Sequence, residues 1–311
     1  MQRSWDPPFQ IGDRIFTVED MALIKDTVWR FRHLSRGELM ATVCENLPWK
    51  TPSGNLKWDA CRSLFDNLEA AGIIKLPPKQ DSRFKGKPRK PEVAPEPAPN
   101  ISLEGPLKDY LPITVEPVPL SEQPLWNATI GAYHYLGYRR RFGAHQRYWI
   151  YSEATDKSRI LGAILFASSA QRVSVREEWI GWTVEDRARY RSRIINNSRY
   201  LILPGVHIPH LASHVLGLVA RRIRADWQTR YGFAPTLLET FVTPPRVGTC
   251  YKAANWIYIG DTVGAGRSDR KGSVAEKKMF MYPLVRNWKT ELYTPLPVAT
   301  EEDDEWGDFD A

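Results

Sequence analysis

The chain has 311 residues, 42% of them hydrophobic, and a formal net charge of +7. That length suits one domain of ordinary size plus a smaller one. It offers no membrane-crossing helix, because its longest apolar runs, such as Ile160 to Ala167, fall far short of the ~18 residues a span needs.

The start, Met1-Gln2-Arg3-Ser4-Trp5-Asp6, has no apolar signal core. Cys44, Cys61 and Cys250 are scattered without metal-type spacing, which fits a reducing compartment. A cytoplasmic protein with no membrane partner is expected. The charge is uneven: seven acids lie between Glu301 and Asp310, and without them 43 basic against 29 acidic residues leave +14. A body that basic points to a polyanion, with DNA as the expected partner.

In chain order, residues 13–76 read as a small helical domain. Thr17 opens a first helix running to about Phe31. Ser35-Arg36-Gly37-Glu38 has capping-box spacing and opens a second, to about Asn46. A third is expected from Leu56 to Ala71, with the apolar stripe Leu56, Ala60, Leu64, Leu68 and Ala71 and with Gly72 as its stop. Ile73 to Leu76 reads as a short strand ended by Pro77 and Pro78. Three helices and a trailing strand make a winged-helix-like DNA-binding domain, whose third helix would present Lys57 and Arg62. The same pattern fits a plain three-helix docking module.

Residues 77–106 form a basic, proline-rich linker, with seven prolines between Pro77 and Asn100. The larger domain is expected over 107–295, followed by an acidic tail over 296–311. Leu120 to Tyr135 reads as helix, Gln146 to Tyr151 and Arg159 to Ala167 as paired strands, and Trp182 to Asn196 as helix. A strand Tyr200 to Leu203, a long amphipathic helix Leu211 to about Tyr231 and a strand Leu237 to Val242 follow. Strands and helices alternate, which predicts a mixed sheet flanked by helices.

Several polar groups interrupt this pattern. Asn196-Asn197-Ser198-Arg199 precedes an apolar strand and suits either a turn or a grip on phosphate. His214 lies at a helix start, where anions are favoured, and is either an acid–base group or a hydrogen-bonded structural one. His207, His210 and His214 lack an acidic or cysteine companion, so no metal site is assigned. Glu239 sits in an apolar strand, where a carboxylate must be paired or used: it either meets an arginine or serves as a base. The basic loop Gly260 to Gly272, with Arg267 and Arg270, suits contacts to phosphate but lacks the Walker pattern.

Tyr133-His134-Tyr135-Leu136-Gly137, Trp179-Ile180-Gly181-Trp182, Asn196 to Pro204, Leu211-Ala212-Ser213-His214, Leu238 to Val242 and Tyr251-Lys252-Ala253-Ala254-Asn255-Trp256 together resemble the DruA family of Druantia anti-phage systems, over about Leu120 to Leu292. Similar domains also occur beside transposase domains. The resemblance implies anti-phage defence or a mobile element, with other proteins of that system as partners.

The layout of strand, helix, strand and short tyrosine-bearing helix is also similar to GNAT N-acetyltransferases, including the Mom-type enzymes that modify DNA adenine. That resemblance implies a GNAT-like sheet in an α+β chain, with Tyr251 as acid; the pocket expected around it is formed by Ser198, His214, Glu239, Tyr251 and Asn255, with Glu239 or His214 as base. Arg199, Arg221, Arg267 and Arg270 would contact phosphate. The family's pyrophosphate loop is not matched: Pro204 to Ser213 holds one glycine and two prolines, which lack amide donors. The cofactor therefore stays unknown. The readings are a DNA-binding protein acting through a GNAT-like domain, a transferase for a nucleobase or protein amine, and a metal-dependent nuclease or strand-transfer enzyme.

Overall fold

Threonine and serine make the first boundaries in this chain. The Thr17 and Ser35 hydroxyls each accept the amide three residues on, while Asp20 and Glu38 reach back to the cap amides. The helices that follow are α1 (Val18–Arg30) and α2 (Arg36–Asn46). In the computed structural model, the described residues are 5–32, 34–47, 49–51, 56–78, 96–138, 143–154, 160–170, 172–262 and 276–296. They fall into two units, one within residues 1–87 and one spanning 88–266 and 272–295.

In the first unit an antiparallel hairpin, β1 (Phe9–Ile11) and β2 (Arg14–Phe16), leads into α1 and α2, and α3 (Trp58–Ala70) completes it. Phe16, Ile24, Leu39, Cys44, Cys61, Leu64 and Leu68 are fully buried in its core. Arg36 of α2 holds Glu69 of α3 through two bonds of 2.7 Å. The strand expected at Ile73–Leu76 does not form. Gly72, at φ +70°, turns the chain, and Ile74 and Leu76 spend their apolar side chains on the core instead of on a strand pair. The hairpin stands before the helices rather than after them.

The second unit carries β3 (Leu103–Glu104), β4 (Ile113–Pro117), α4 (Gln123–Tyr133), β5 (His145–Ser152), β6 (Ile160–Ser168), α5 (Ser174–Ile180), α6 (Val184–Tyr190), β7 (Ile194–Ile202), β8 (Val206–His207), α7 (Leu211–Tyr231), β9 (Leu237–Val242), α8 (Thr249–Ala253), β10 (Ile257–Thr262), β11 (Lys277–Pro283) and α9 (Trp288–Leu292). Seven of these strands form one mixed sheet in the order β10-β11-β9-β7-β6-β5-β4. All its neighbours run antiparallel except β7 and β9. The expected mixed sheet flanked by helices is thus present. α7 buries Leu211, Val215, Leu216, Val219, Ile223, Trp227 and Tyr231 as a single stripe.

One boundary differs in a way that matters. The helix expected up to Asn196 ends at Tyr190, followed by a short 3-10 turn, and Ile194 to Arg199 are strand. Asn196, Asn197 and Ser198 are therefore not a connecting turn. Ile195, Asn197, Arg199 and Leu201 alternate inward along β7, so two of four inward positions are polar. That polarity hid the strand period. The register with β6 slips between Leu165 and Phe166, which leaves Ser198 as the extra residue of a bulge.

Candidate ligand cleft at a strand fork

The parallel pairing of β7 with β9 lasts only three residues, from Ile194 opposite Leu237 to Asn196 opposite Glu239. Beyond it the strands diverge, and side chains bridge the fork. Thr240 donates its hydroxyl to the Asn197 carbonyl at 3.0 Å, and Tyr251 of α8 donates its own to Asn197 Oδ1 at 2.6 Å. Asn197 Nδ2 donates to the carbonyls of Leu165 and Arg199, both at 3.1 Å, and so seals the bulge. Burial pushes the Tyr251 phenol above its usual range. Gly248 opens α8 at φ +78°, where a Cβ would sit 2.6 Å from Phe280. Only glycine lets α8 begin there.

Above this clasp lies a cavity of about 440 Å³. It is walled by Tyr133 to Leu136 at the end of α4, by Asn197 to Ile202 of β7, and by Thr240 to Val242 with Arg246, Cys250 and Tyr251. Two guanidiniums and no carboxylate are among these residues. Arg199 is buried, and donates to the Gly137 carbonyl at 2.9 Å and to the Ser198 carbonyl at 2.6 Å. Arg246 is exposed, has its guanidinium carbon 3.8 Å from the centroid of the Tyr135 ring, and has no side-chain hydrogen bond or ion pair among the described residues. His134 is buried and accepts the Leu136 amide at Nδ1, which leaves the proton of the neutral ring on Nε2. Burial first, then Arg199 and Arg246, pull its pKa down to about 4. The Ser198 hydroxyl is enclosed and has no partner among the described residues. The Cys250 thiol lies in the wall, raised by burial.

Of the residues expected to share a pocket, the structure brings Ser198 and Tyr251 together, with Arg199 beside them. Glu239 points to the other face of the sheet, as strand alternation requires next to Thr240. There its Oε2 accepts from Arg176 at 2.8 Å and its Oε1 from the Ala170 amide at 2.8 Å. Both partners of that ion pair are 0% exposed. The arginine alternative for Glu239 is therefore the one realised, and the carboxylate is not part of the cavity. His214 stands in the first turn of α7 outside the lining, its pKa lowered by burial and by Arg221; Ala212 is the α7 residue that reaches the cavity. Asn255 is exposed at φ +62°, a turn residue after α8.

Among the expected phosphate contacts, Lys57 is bound to Asp13 at 2.6 Å, Arg62 is exposed with Asp59 at 3.9 Å, and Arg221 is exposed on α7. Arg267 and Arg270, the linker from 79 to 95 and the acidic tail lie outside the described residues. Sequence reading missed His134, Asn197, Thr240 and Arg246 as members of one site. Thr240 could have been found, because alternation sets it opposite a carboxylate that needed an ion partner.

The GNAT resemblance of the sequence would imply coenzyme A, and the chain can be tested for it at the β7–α7 loop. The Gly205 amide is taken by Asn100 Oδ1 at 2.7 Å, and its carbonyl accepts from Leu103 at 2.9 Å. A Cβ on Gly205 would lie 2.4 Å from the Ile101 carbonyl, so the segment from Asn100 to Glu104 lies directly against the loop. Ser213 donates to the His210 carbonyl at 3.0 Å. The Gly205 amide and the Ser213 hydroxyl are thus already used, Pro204 and Pro209 offer no amide, and the packed loop does not fit a pyrophosphate cradle. Among the described residues no three His, Cys, Asp or Glu side chains converge.

The fold and the cleft define an α+β protein with a forked mixed sheet and a cationic, carboxylate-free cavity at the fork. The chain belongs to the DruA family: the family model described as Druantia protein DruA matches residues 67–291, more than half of the sequence. No curated protein matches it. Among solved structures it is similar to spermidine/spermine N-acetyltransferase SpeG from Vibrio cholerae with manganese ions, at 10% identity and TM-score 0.34, over 55% of this chain and 92% of that one. The Vibrio cholerae spermidine N-acetyltransferase with CoA and spermine gives 9% identity and TM-score 0.36, over 55% and 95%. These likenesses carry no inference about cofactor or substrate.

Proposed function

We propose that this chain is a DNA-engaging protein of an anti-phage defence system or mobile element, acting together with other proteins of that system. The observation that carries the reading is the fork cavity, with Arg199 and Arg246 in its wall and no carboxylate, in a chain of net charge +7. Family membership supports the biological setting. Arg139, Arg140 and Arg141 add to the positive charge in the sequence soon after Gly137. The three-helix unit is read as a DNA-binding domain with Arg62 toward DNA, the alternative being a plain docking module; Lys57 would have to leave Asp13 to take part. The strand order, one parallel pair opening into a fork, and α8 beside it support a GNAT-like reading of the larger domain. The occupied β7–α7 loop does not support acyl transfer from coenzyme A.

The test is fluorescence anisotropy with duplex, single-stranded and branched DNA between about 50 and 200 mM salt. The expected result is saturable binding whose logarithm falls linearly with the logarithm of salt. Arg62→Glu and Arg221→Glu, both at exposed positions, are expected to weaken all sequences alike. Absence of saturable binding at the lowest salt would sink the reading.

A further inference from the structure

We infer that the fork cavity is a nucleotide pocket, in which Arg246 takes a phosphate and the aromatic walls take the base. This deepens the proposed function and rests on it for the setting, although the pocket itself is argued from its own geometry.

Size, charge and lining converge on that ligand class. The cavity volume of about 440 Å³ lies within the roughly 300–1,000 Å³ typical of small-molecule sites and far exceeds what a bare phosphate fills. Its walls are mixed: Tyr133, Tyr200, Phe241 and Leu136 give apolar and aromatic surface, and the polar residues Ser198 and Thr240 also line it. A ligand matched to this lining has an apolar planar body with polar edges and a negative end. A nucleotide combines the three.

The parts are also placed as recognition needs them. The guanidinium of Arg246 is held against the Tyr135 ring, 3.8 Å from its centroid, while its N–H groups remain uncommitted among the described residues. Prior orientation lowers the cost of binding and suits the planar fork to phosphate oxygens. Arg199 is fixed more deeply by two carbonyls and supplies a positive field rather than a flexible arm. The enclosed Ser198 hydroxyl has no partner among the described residues, and a buried hydroxyl without one is costly. A base edge in the cavity would satisfy it. The bulge in β7 takes this residue out of the ladder, and Ser198 is among the residues that line the cavity.

The same chemistry could come from a free nucleotide or from one displaced out of a DNA strand, and one set of titrations separates them. The full chain is titrated with AMP, ATP, inorganic phosphate and coenzyme A by calorimetry. It is also titrated with a fully paired duplex and a duplex carrying one unpaired nucleotide by anisotropy. Either AMP or ATP binds, or the duplex with the unpaired nucleotide binds about tenfold tighter than the paired one; the first result identifies a free ligand and the second a displaced base. In both cases Arg246→Gln, at an exposed position, is expected to lower that affinity by about tenfold or more. Ser198→Ala is expected to weaken it without changing the salt slope.

Four results would overturn the inference. Neither nucleotide nor unpaired-base preference is observed; or binding is unchanged in Arg246→Gln; or inorganic phosphate binds as well as AMP; or coenzyme A binds while AMP and ATP do not. Salt-sensitive duplex binding that survives such a result leaves the DNA reading standing. Nucleotide binding without any DNA binding removes that reading and keeps the pocket.

Discussion

Glu239 and Thr240 are adjacent residues with opposite tasks. Glu239 is committed to Arg176 in the interior, so removing it strands a buried cation. Glu239→Ala is expected to cost about 3–5 kcal/mol of stability in denaturant unfolding, whereas Glu239→Leu combined with Arg176→Met is expected to recover most of it. A loss of DNA binding or biological activity with unaltered unfolding would contradict this structural role. His134 gives a second prediction. Its folded pKa of about 4 lies below the usual 6.5, so the unfolded chain takes up a proton that the native one refuses. Stability at this site is present above about pH 6.5 and lost as pH falls toward 4. His134→Gln is expected to flatten that part of the stability–pH curve relative to the parent; superimposable curves would remove His134 as the cause.

At the scale of elements, the sequence made the regular parts visible and hid β7. The capping boxes at Thr17 and Ser35, the stripe of α7 and the apolar run of β9 each carry a period that burial enforces, and their boundaries fall within a residue or two of expectation. β7 broke the rule because its inward positions include Asn197 and Arg199, chosen for the fork rather than for a dry core. β11 was invisible for another reason: it inserts between β9 and β10 although it follows both in the chain, an order that no local pattern encodes. The membership of the cleft was readable only in part: Ser198 and Tyr251 were expected together, whereas Tyr135 and Arg246 sit in separate loops that only the fold brings into contact. The segment Asn100–Glu104 offers an element-scale prediction. Gly205→Ala would push against the Ile101 carbonyl, and limited proteolysis is expected to cut residues 96–104 faster in that variant. Equal cleavage rates would mean that the loop moves aside.

For the whole molecule, charge is the property that reaches furthest. Among the described residues no helix is long and apolar enough to cross a membrane. The chain is basic except for its acidic end, and that end is expected to compete with DNA for the basic body. Deleting residues 300–311 is expected to raise DNA affinity about tenfold at low salt, with the gain shrinking as salt increases. An unchanged affinity across the salt range would show that the tail serves something else.

The clasp between Tyr251 and Asn197 makes one proton unusual. It is donated between buried oxygens 2.6 Å apart, where β7 and α8 meet at the cavity. A tyrosine hydroxyl that exchanges slowly enough to be followed by magnetic resonance would then act as a clock for the fork. Its exchange rate would report how often the cleft breathes, and a ligand that props the strands together would slow it.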